Sequence, residues 1–288
     1  MELDELDRKA AAAFEGYVVR KDLVRKFSRQ FPVPTYVVEF MLGRYCATID
    51  ESEIKEGLAI VQRQLSSRTV KAGEEELFKA GAYKDGNVKL IDMISVRFSE
   101  KDNGYVATLP SLRLTKVRIP DKIVDDNERL LTGGFYAEIN LEYDAMIAEE
   151  KGGNPFGVFS LKPIQLSKRD VLEEMAEARR QFTTEEWKDI LLRSIGLEPA
   201  YLDDDAKNAV LLRMVPFVER NYNMVELGPR GTGKSHLFQQ VSPYARLISG
   251  GKATVAQMFV NNATGQRGLV CQYDVVCFDD VGGISFYS

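Results

Sequence analysis

A glycine-rich loop that ends in lysine and serine is the stretch of this sequence with the clearest chemistry. Glycines allow successive backbone N–H groups to turn inward around a phosphate chain, because no Cβ atom obstructs them. In such a loop the lysine reaches the β- and γ-phosphates of a nucleotide, and the final hydroxyl is a ligand of Mg²⁺. The sequence therefore predicts ATP and Mg²⁺ as cofactors. The predicted binding residues fit G-x-x-x-x-G-K-[ST] at every fixed position: Gly228, Pro229, Arg230, Gly231, Thr232, Gly233, Lys234 and Ser235.

The residues on either side of the loop supply the context that this motif requires. Residues 223–227 are predicted to form a short buried strand. Residues 235–240 are predicted to begin a helix, whose N-terminus adds partial positive charge near the phosphates. A flexible glycine-rich turn is the alternative interpretation. The succession of strand, loop and helix favours phosphate binding.

A second chemical element lies downstream, where the apolar residues 275–278 precede two aspartates. This pattern is typical of a Walker B strand, which is buried in a parallel sheet and carries its acids at the C-terminal end. Asp279 is predicted to bind Mg²⁺, directly or through water, and Asp280 to be the catalytic residue that orients or deprotonates the attacking water. Many such ATPases have glutamate at the second position, and aspartate is one methylene shorter. The alternative is an ordinary core strand that ends in a solvated acidic turn.

Composition limits the classes of protein to which the chain can belong. Its 288 residues leave room for two domains, and 44% hydrophobic with 28% charged residues is ordinary for a globular protein. The net charge of −5 means that any nucleic-acid site has to be a local patch. Three scattered cysteines fit a reducing, cytoplasmic environment. The N-terminus is acidic where a signal peptide would be basic, so it argues against a signal peptide. The sequence has no long apolar run, so we expect no membrane span.

Residues 1–70 are predicted to form an N-terminal helical region. Pro34 and Asp50 have the positions and residue types that begin helices. A cluster of positive residues in this region could contact the phosphate backbone of duplex DNA, and a solvated helix face is the alternative interpretation. The basic cluster consists of Arg20, Lys21, Arg25, Lys26 and Arg29.

Residues 71–166 change to the pattern of short strands separated by turns. The predicted strands are residues 88–98, 104–109, 112–119, 135–143 and 156–166. Five such strands fit a small barrel, and we favour an OB-like barrel. These barrels often bind nucleic acid through basic and aromatic side chains, so this is a candidate DNA-binding domain, although the same residues could be ordinary surface and core positions. The candidate contact residues are Arg97, Tyr105, Arg113, Lys116, Arg118 and Phe135.

Residues 167–215 return to a helical pattern and are predicted to connect the barrel to the nucleotide-binding core. Residues 216–288 are predicted to form an incomplete P-loop α/β core with three strands, at 223–227, at 245–249 and within 273–280, and a helix over 254–261. Because the sequence stops shortly after Asp280, we expect either a fragment of a longer protein or a truncated product that is inactive alone. The predicted fold class is therefore mixed α and β.

Several strings around the phosphate loop narrow the interpretation further. They are residues 218–223 (VERNYN), 226–235 (ELGPRGTGKS), 242–244 (SPY), 247–251 (LISGG), 268–270 (GLV) and 278–280 (FDD). Together they resemble the BrxL family, the Lon-protease-like AAA+ proteins of BREX bacteriophage-defence systems. The phosphate loop alone indicates only an ATPase, whereas the flanking strings point to the N-terminal portion of this family.

The resemblance implies an architecture similar to that of MCM-type helicases, with an N-terminal DNA-binding region followed by an AAA+ core. It also implies ATP hydrolysis, binding of double-stranded DNA, ring-shaped homo-oligomers and contact with other BREX components. Lys234, Ser235, Asp279 and Asp280 match the family's nucleotide-site positions, although we expect glutamate at position 280. Nothing in this sequence indicates proteolysis.

Three functions stay open on the sequence alone. The first is an ATP-driven, DNA-binding AAA+ component of phage defence. The second is a DNA-binding regulatory protein that nucleotide controls without turnover, and the third is an ATP-dependent, Lon-like protease subunit. ATP hydrolysis stimulated by duplex DNA would support the first function. DNA binding that survives Lys234→Ala, with no turnover, would support the second, and stimulation by unfolded protein but not by DNA would support the third.

Overall fold

A barrel of five β-strands forms the middle of the chain. The computed structural model describes residues 3–149, 154–164, 171–229, 231–250, 253–260 and 267–279. The barrel strands are β1 (Asn87–Ser99), β2 (Gly104–Leu109), β3 (Leu114–Arg118), β4 (Phe135–Tyr143) and β5 (Phe156–Pro163). Their order is β1-β2-β3-β5-β4, and the barrel closes because β1 also pairs with β4. The pairing of β3 with β5 is parallel, and the other pairings are antiparallel.

The barrel interior follows from the alternation of residue types along the strands. In β4 the residues at 135, 137, 139 and 141 are buried, and the intervening residues are partly exposed. Leu90, Leu109 and Leu141 meet inside the barrel with no exposed surface. Gly134 has φ +76°, and a Cβ atom there would lie 2.1 Å from the backbone oxygen of Ile94. Only glycine therefore allows β4 to begin this close to β1.

Five helices precede the barrel. They are α1 (Glu5–Ala13), α2 (Lys21–Ser28), α3 (Thr35–Tyr45), α4 (Glu51–Arg68) and α5 (Glu75–Asp85). Pro34 and Asp50 are the N-cap residues of α3 and α4, as the sequence predicts, and Asp50 accepts hydrogen bonds from Ser52 N (2.8 Å) and Glu53 N (3.0 Å). The buried side chains of α2, α3 and α4 form one core with Ile91 of β1, so these helices pack against the barrel.

Five further helices lie between the barrel strands or follow the barrel. They are α6 (Asp121–Asp125), α7 (Ala145–Glu149), α8 (Val171–Arg179), α9 (Thr184–Ser194) and α10 (Asp204–Leu212). Thr183 and Glu186 form a capping box at the start of α9. Trp187 of α9 packs against Phe14 and Phe182 in a small core that joins α1 to α8 and α9. The N-terminal helix is thus attached to the helices that follow the barrel.

The C-terminal part has a small parallel sheet. Its elements are α11 (Lys234–His236), a π-helical turn (Leu237–Val241), β6 (Ala245–Ser249), α12 (Val255–Met258) and β7 (Val275–Asp279). Strands β6 and β7 pair in parallel, with Ala245 opposite Val275. The predicted helix within residues 254–261 ends early, because Val260 forms a β-bridge with Arg267.

The prediction of a third strand at residues 223–227 is wrong for the described structure. These residues have no strand assignment, and the side chains of Val225 and Leu227 are 82% and 87% exposed. A strand is stabilised by backbone hydrogen bonds to a neighbour, and within the described residues this segment has no such neighbour. The described sheet therefore has two strands rather than three.

Among the described residues, no helix combines the length and the apolar character that crossing a bilayer requires.

Candidate nucleotide-binding site

The phosphate loop has the backbone conformation that its glycines allow. Gly231 and Gly233 have φ values of +82° and +75°, in the left-handed region. The Nζ atom of Lys234 donates to the backbone oxygens of Gly228 (3.1 Å) and Pro229 (2.5 Å) and to Thr232 Oγ1 (3.0 Å). The ammonium group therefore lies against the inside of the loop. Phosphate oxygens could replace these neutral acceptors, because an ammonium group binds an anionic oxygen more strongly than a neutral carbonyl or hydroxyl oxygen.

Ser235 and Asp279 lie side by side although they are far apart in the sequence. Ser235 Oγ, on α11, donates a 2.8 Å hydrogen bond to Asp279 Oδ2 at the end of β7. A hydroxyl and a carboxylate are the oxygen ligands that Mg²⁺ prefers, so the two residues fit a shared magnesium site. Within the described residues no group of three or more His, Cys, Asp or Glu side chains could hold a metal. Mg²⁺ commonly takes its other ligands from phosphates and water.

Two predicted site residues, Arg230 and Asp280, lie outside the described residues. Ser235, at the end of the loop, contacts the predicted metal ligand Asp279 at the C-terminal end of β7, and Lys234 holds Gly228 and Pro229 of the loop. Ser249, opposite Asp279 in β6, begins the turn at this end. Acids at the C-terminal ends of parallel strands have the position that α/β proteins use for ligands.

Cys277 lies in β7, two residues before Asp279, and its thiol is structural. Burial raises the pKa of Cys277 to about 11, and the charges of Asp279 and Glu226 act in the same direction. The thiol is therefore protonated at neutral pH and is a poor nucleophile and metal ligand.

The segment after the phosphate-loop helix contacts the N-terminal half of the chain. Gln240 Oε1 accepts hydrogen bonds from Thr35 N (3.0 Å) and Thr35 Oγ1 (3.2 Å) at the start of α3. Arg129 donates to Pro243 O (2.5 Å) and lies 4.1 Å from the centre of the Tyr244 ring. The sequence analysis did not identify these residues, because contacts between positions so far apart leave no local pattern.

The barrel residues proposed as DNA contacts do not all reach the surface. Phe135 is 3% exposed and packs in the barrel core, so the expectation that it contacts DNA is wrong. Arg97 is exposed, and Tyr105 packs edge-on against the exposed Phe98 with 5.7 Å between ring centres. Phe98, 58% exposed, is a candidate that the sequence analysis missed, because the alternation of buried and exposed residues ends at Arg97.

The three other basic candidates of the barrel have acidic partners. Arg113 pairs with Glu75 (3.1 Å), Lys116 with Asp102 (3.7 Å) and Arg118 with Glu142 (3.7 Å). The side chain of Arg113 is 80% exposed despite its partner. These pairs are loose enough for a phosphate to compete with the carboxylate.

The basic cluster of the N-terminal region is divided by its partners. Arg20 pairs with Asp22 and Glu51, Lys21 pairs with Glu39, and Arg25 donates to the backbone oxygen of Gly196. The side chains of Lys26 and Arg29 have no hydrogen-bond or ion-pair partner in the part of the chain that the structure describes. The cluster is thus partly neutralised and partly engaged in holding the fold together.

Comparison with known protein families divides the chain into two matched parts. The family described as "BREX system Lon protease-like protein BrxL N-terminal" matches residues 12–143. The family described as "Lon-like protease BrxL-like, ATPase domain" matches residues 156–288. The first match contains helices α2 to α5 and most of the barrel, and the second contains the phosphate loop, Ser235 and Asp279.

Two curated relatives are similar over nearly the whole chain. The Lon-like protease BrxL of Escherichia coli O9:H4 (strain HS) is 44% identical over 282 residues, which are 98% of this chain and 40% of the relative. The Lon-like protease BrxL of Bacillus cereus (strain H3081.97) is 45% identical over 284 residues, 99% of this chain and 42% of the relative. The chain thus spans about two fifths of the length of these relatives. Because both family matches are to BrxL and the identity extends along the chain, this chain belongs to the BrxL family.

Proposed function

We propose that this chain is the N-terminal part of a ring-forming, DNA-binding AAA+ ATPase of a bacterial phage-defence (BREX) system. The observation that carries the ATPase proposal is the 2.8 Å hydrogen bond between Ser235 Oγ and Asp279 Oδ2. It supports a nucleotide site because a phosphate-loop hydroxyl and a Walker B carboxylate share one magnesium ion in enzymes of this class. Membership of the BrxL family supports the defence role.

In the proposed site, the residues of this chain bind and orient the nucleotide. The backbone N–H groups of the loop would surround the phosphates, and Lys234 would turn from its loop acceptors to the β- and γ-phosphates. Ser235 and Asp279 would hold Mg²⁺, which supplies positive charge to the phosphates when bound. From its sequence position, Asp280 would orient the attacking water.

The barrel is proposed to be OB-like and to contact double-stranded DNA. Five strands in the order β1-β2-β3-β5-β4, with one parallel pairing, support the OB-like description. The exposed Phe98, which packs against Tyr105, supports a surface with aromatic rings, and the exposed Arg97 supplies a cation on the same strand. A homo-oligomeric ring and contact with other BREX components follow from the family and stay proposals for this chain.

The test of the nucleotide site is ATP binding by Lys234→Ala. Loss of a charged hydrogen-bond donor to phosphate costs about 1.5–3 kcal/mol, or about 10- to 150-fold in affinity. Lys55→Ala, which removes an exposed lysine of α4, is the matched control and should bind ATP as the parent does. Equal ATP affinity in the parent and Lys234→Ala would overturn the site.

The DNA proposal is tested by charge reversal on the barrel. Arg97→Glu should weaken binding of duplex DNA and lower the dependence of affinity on salt, because one phosphate contact is lost. Arg63→Glu changes an exposed arginine of α4 by the same charge and is the control. Equal effects of the two variants would argue against a specific barrel surface.

A nucleotide-controlled DNA-binding protein without turnover is the second candidate. It is favoured by Asp280, because aspartate reaches one methylene less far than the glutamate expected there. Single-turnover measurement of ADP formation, with and without duplex DNA, separates the two functions. Binding of ATP and DNA with no ADP formed would establish the second.

A further inference from the structure

The helix that carries Lys234 and Ser235 is attached to the N-terminal region at its far end. Gln240, five residues after Ser235, accepts hydrogen bonds at Oε1 from Thr35 N (3.0 Å) and Thr35 Oγ1 (3.2 Å). Thr35 begins α3, which the shared core of α2, α3 and α4 holds against the barrel. A cavity of about 420 Å³ lies between α2 and the phosphate loop, so side chains of the described residues do not fill the space there. The Gln240 contact therefore supports a helix whose surroundings are only partly filled.

The far end of this helix has an irregular backbone. Residues 237–241 form a π-helical turn directly after α11. A π turn contains more residues than a turn of α-helix, so it directs the side chain at position 240 differently than an α-helical continuation would. Such turns are rare and often occur at functional sites. Here the turn directs Gln240 toward Thr35, and the hydrogen bonds between the two residues maintain that direction.

Strand β7, which ends in the predicted metal ligand, is attached at its opposite end to the turn that precedes β4. Arg129 of that turn donates to Pro243 O (2.5 Å), and its guanidinium lies 4.1 Å from the centre of the Tyr244 ring. Tyr244 O in turn accepts hydrogen bonds from Asp274 N (3.0 Å) and Val275 N (3.3 Å), where β7 begins. Arg129 thus holds the segment from which both β6 and β7 start.

Magnesium requires a defined separation of its ligands, and the small sheet alone supplies little to fix it. Mg²⁺ binds oxygen at about 2.0–2.1 Å in nearly ideal octahedral geometry. Among the described residues, only three buried side chains form the core beside the loop. The Ser235 hydroxyl lies on the loop helix and the Asp279 carboxylate at the end of β7. Their separation therefore depends on how each element is held, and each is held at one end by one of the two attachments.

We propose that Gln240 and Arg129 are positioning residues of the nucleotide site. Through these two contacts the N-terminal region sets the separation between Ser235 Oγ and Asp279 Oδ2. This inference rests on the proposed nucleotide function. It adds that the affinity for magnesium-bound nucleotide depends on the N-terminal region. The affinity for the phosphates alone depends on the loop itself, because the partners of Lys234 lie within six residues.

The experiment measures the ATP affinity of the full chain by titration calorimetry, once with Mg²⁺ and once with EDTA. The ratio of the two affinities is the magnesium gain. Gln240→Ala and Arg129→Ala should each lower the magnesium gain about fivefold, the effect of roughly one hydrogen bond. The affinity in EDTA should stay that of the parent, because Lys234 and the loop are unchanged. A variant that only lowered the stability of the fold would keep the parental ratio at temperatures where it is folded.

Matched variants separate positioning from other effects. Gln239→Ala, at the exposed neighbouring position, and Arg63→Ala, at an exposed position of α4, should keep the parental magnesium gain. Gln240→Glu retains an acceptor oxygen of the same reach and should also keep it. Thr35→Val removes the hydroxyl donor from the N-terminal side with little change in side-chain volume. It should lower the magnesium gain about twofold, since the hydrogen bond from Thr35 N remains.

The outcomes distinguish a failure of this inference from a failure of the proposed function. A parental magnesium gain in both Gln240→Ala and Arg129→Ala would overturn the inference and leave the nucleotide site in place. A loss in Gln240→Ala that Gln240→Glu does not restore would overturn the role of the hydrogen bonds from Thr35. No magnesium gain in the parent, or a full gain in Ser235→Ala, would instead overturn the shared magnesium site of the proposed function.

Discussion

The barrel and the phosphate-loop region are built in different ways. Among the described residues, sixteen buried side chains form the core of the barrel and its adjoining turns, whereas three buried side chains form the core beside the loop. Every barrel strand has two neighbours, whereas within the described part of the chain β6 and β7 pair only with each other. The barrel is therefore stabilised by contacts that this chain supplies, and the loop region exposes apolar side chains such as Leu227 and Phe278.

This difference shows that the phosphate loop depends on local contacts for its conformation, whereas the sheet beside it depends on pairing between distant segments. The conformation of the phosphate loop depends on its own glycines and on Lys234, whose partners lie within six residues. A strand depends on a neighbour that can be anywhere in the sequence. The loop can therefore take its form although residues 223–227 do not form a strand.

The two regions should differ most in the free energy of unfolding that they lose when a glycine with a left-handed backbone is replaced by alanine. Gly134→Ala places a Cβ atom 2.1 Å from the backbone oxygen of Ile94, and we expect it to cost the barrel about 4 kcal/mol or more. Gly231→Ala meets no atom within 4 Å and should cost only the left-handed conformation, about 1–2 kcal/mol. Urea unfolding of both variants measures this, and equal losses would contradict the comparison.

Truncation of an apolar side chain should also lower the free energy of unfolding more in the barrel than in the small sheet, by a smaller margin. Ile139→Ala in the barrel removes a side chain that is 1% exposed, at a cost of about 3 kcal/mol. Leu247→Ala in β6 removes a partly exposed side chain and should cost about 1 kcal/mol. The free energies of unfolding from denaturant titration test this. A larger loss for Leu247→Ala would mean that the small sheet carries more of the stability than its burial indicates.

The contact between the two regions can be weakened without affecting either core. Gln240→Ala removes the acceptor for Thr35 N and Thr35 Oγ1, and we expect a loss of about 1 kcal/mol. Amide exchange at the start of α3 should become faster. Gln239→Ala is the matched control, because Gln239 is exposed and next in the sequence. Unchanged exchange in Gln240→Ala would show that this contact does not hold α3.

The smallest expected change in stability concerns the ion pair between Asp4, at the start of α1, and Arg193 of α9. Hydrogen bonding to Arg193 lowers the pKa of Asp4 to about 2, from an ordinary value of 3.8. A carboxyl with a lowered pKa in the folded state adds stability above its unfolded pKa and loses it as the pH falls through the folded value. The contribution should therefore be complete above about pH 4 and disappear toward pH 2, and an exposed pair of this kind is worth less than about 1 kcal/mol. Amide exchange in α1 between pH 5 and pH 2.5 measures it, and Asp4→Asn should remove the pH dependence while the barrel is unaffected.

Local patterns predicted much of the secondary structure. Strands β2, β4 and β6 have the predicted bounds, since their alternation and flanking turns are contained in a few residues. Strand β3 is shorter than predicted, because Pro110–Leu112 forms a 3₁₀ turn before it. Phe135 was a candidate DNA contact with a core position as the alternative, because a strand pattern does not show which of its two faces is buried.

The sequence by itself predicted the chemistry of the candidate site. Lys234, Ser235 and Asp279 were identified from residue type and spacing, because phosphate and Mg²⁺ require particular donors in a particular order. The helix starts at Pro34 and Asp50 were predicted in the same way, since the residue types that begin helices act locally.

Only the tertiary structure decided how the parts meet. It places Ser235 against Asp279, bonds Gln240 to Thr35, and encloses a cavity between α2 and the phosphate loop. It also neutralises Arg20 and Lys21 with acids, which a basic cluster in the sequence does not reveal. The physical reason is that these contacts join residues distant in the chain, and their geometry depends on how the helices and the barrel pack.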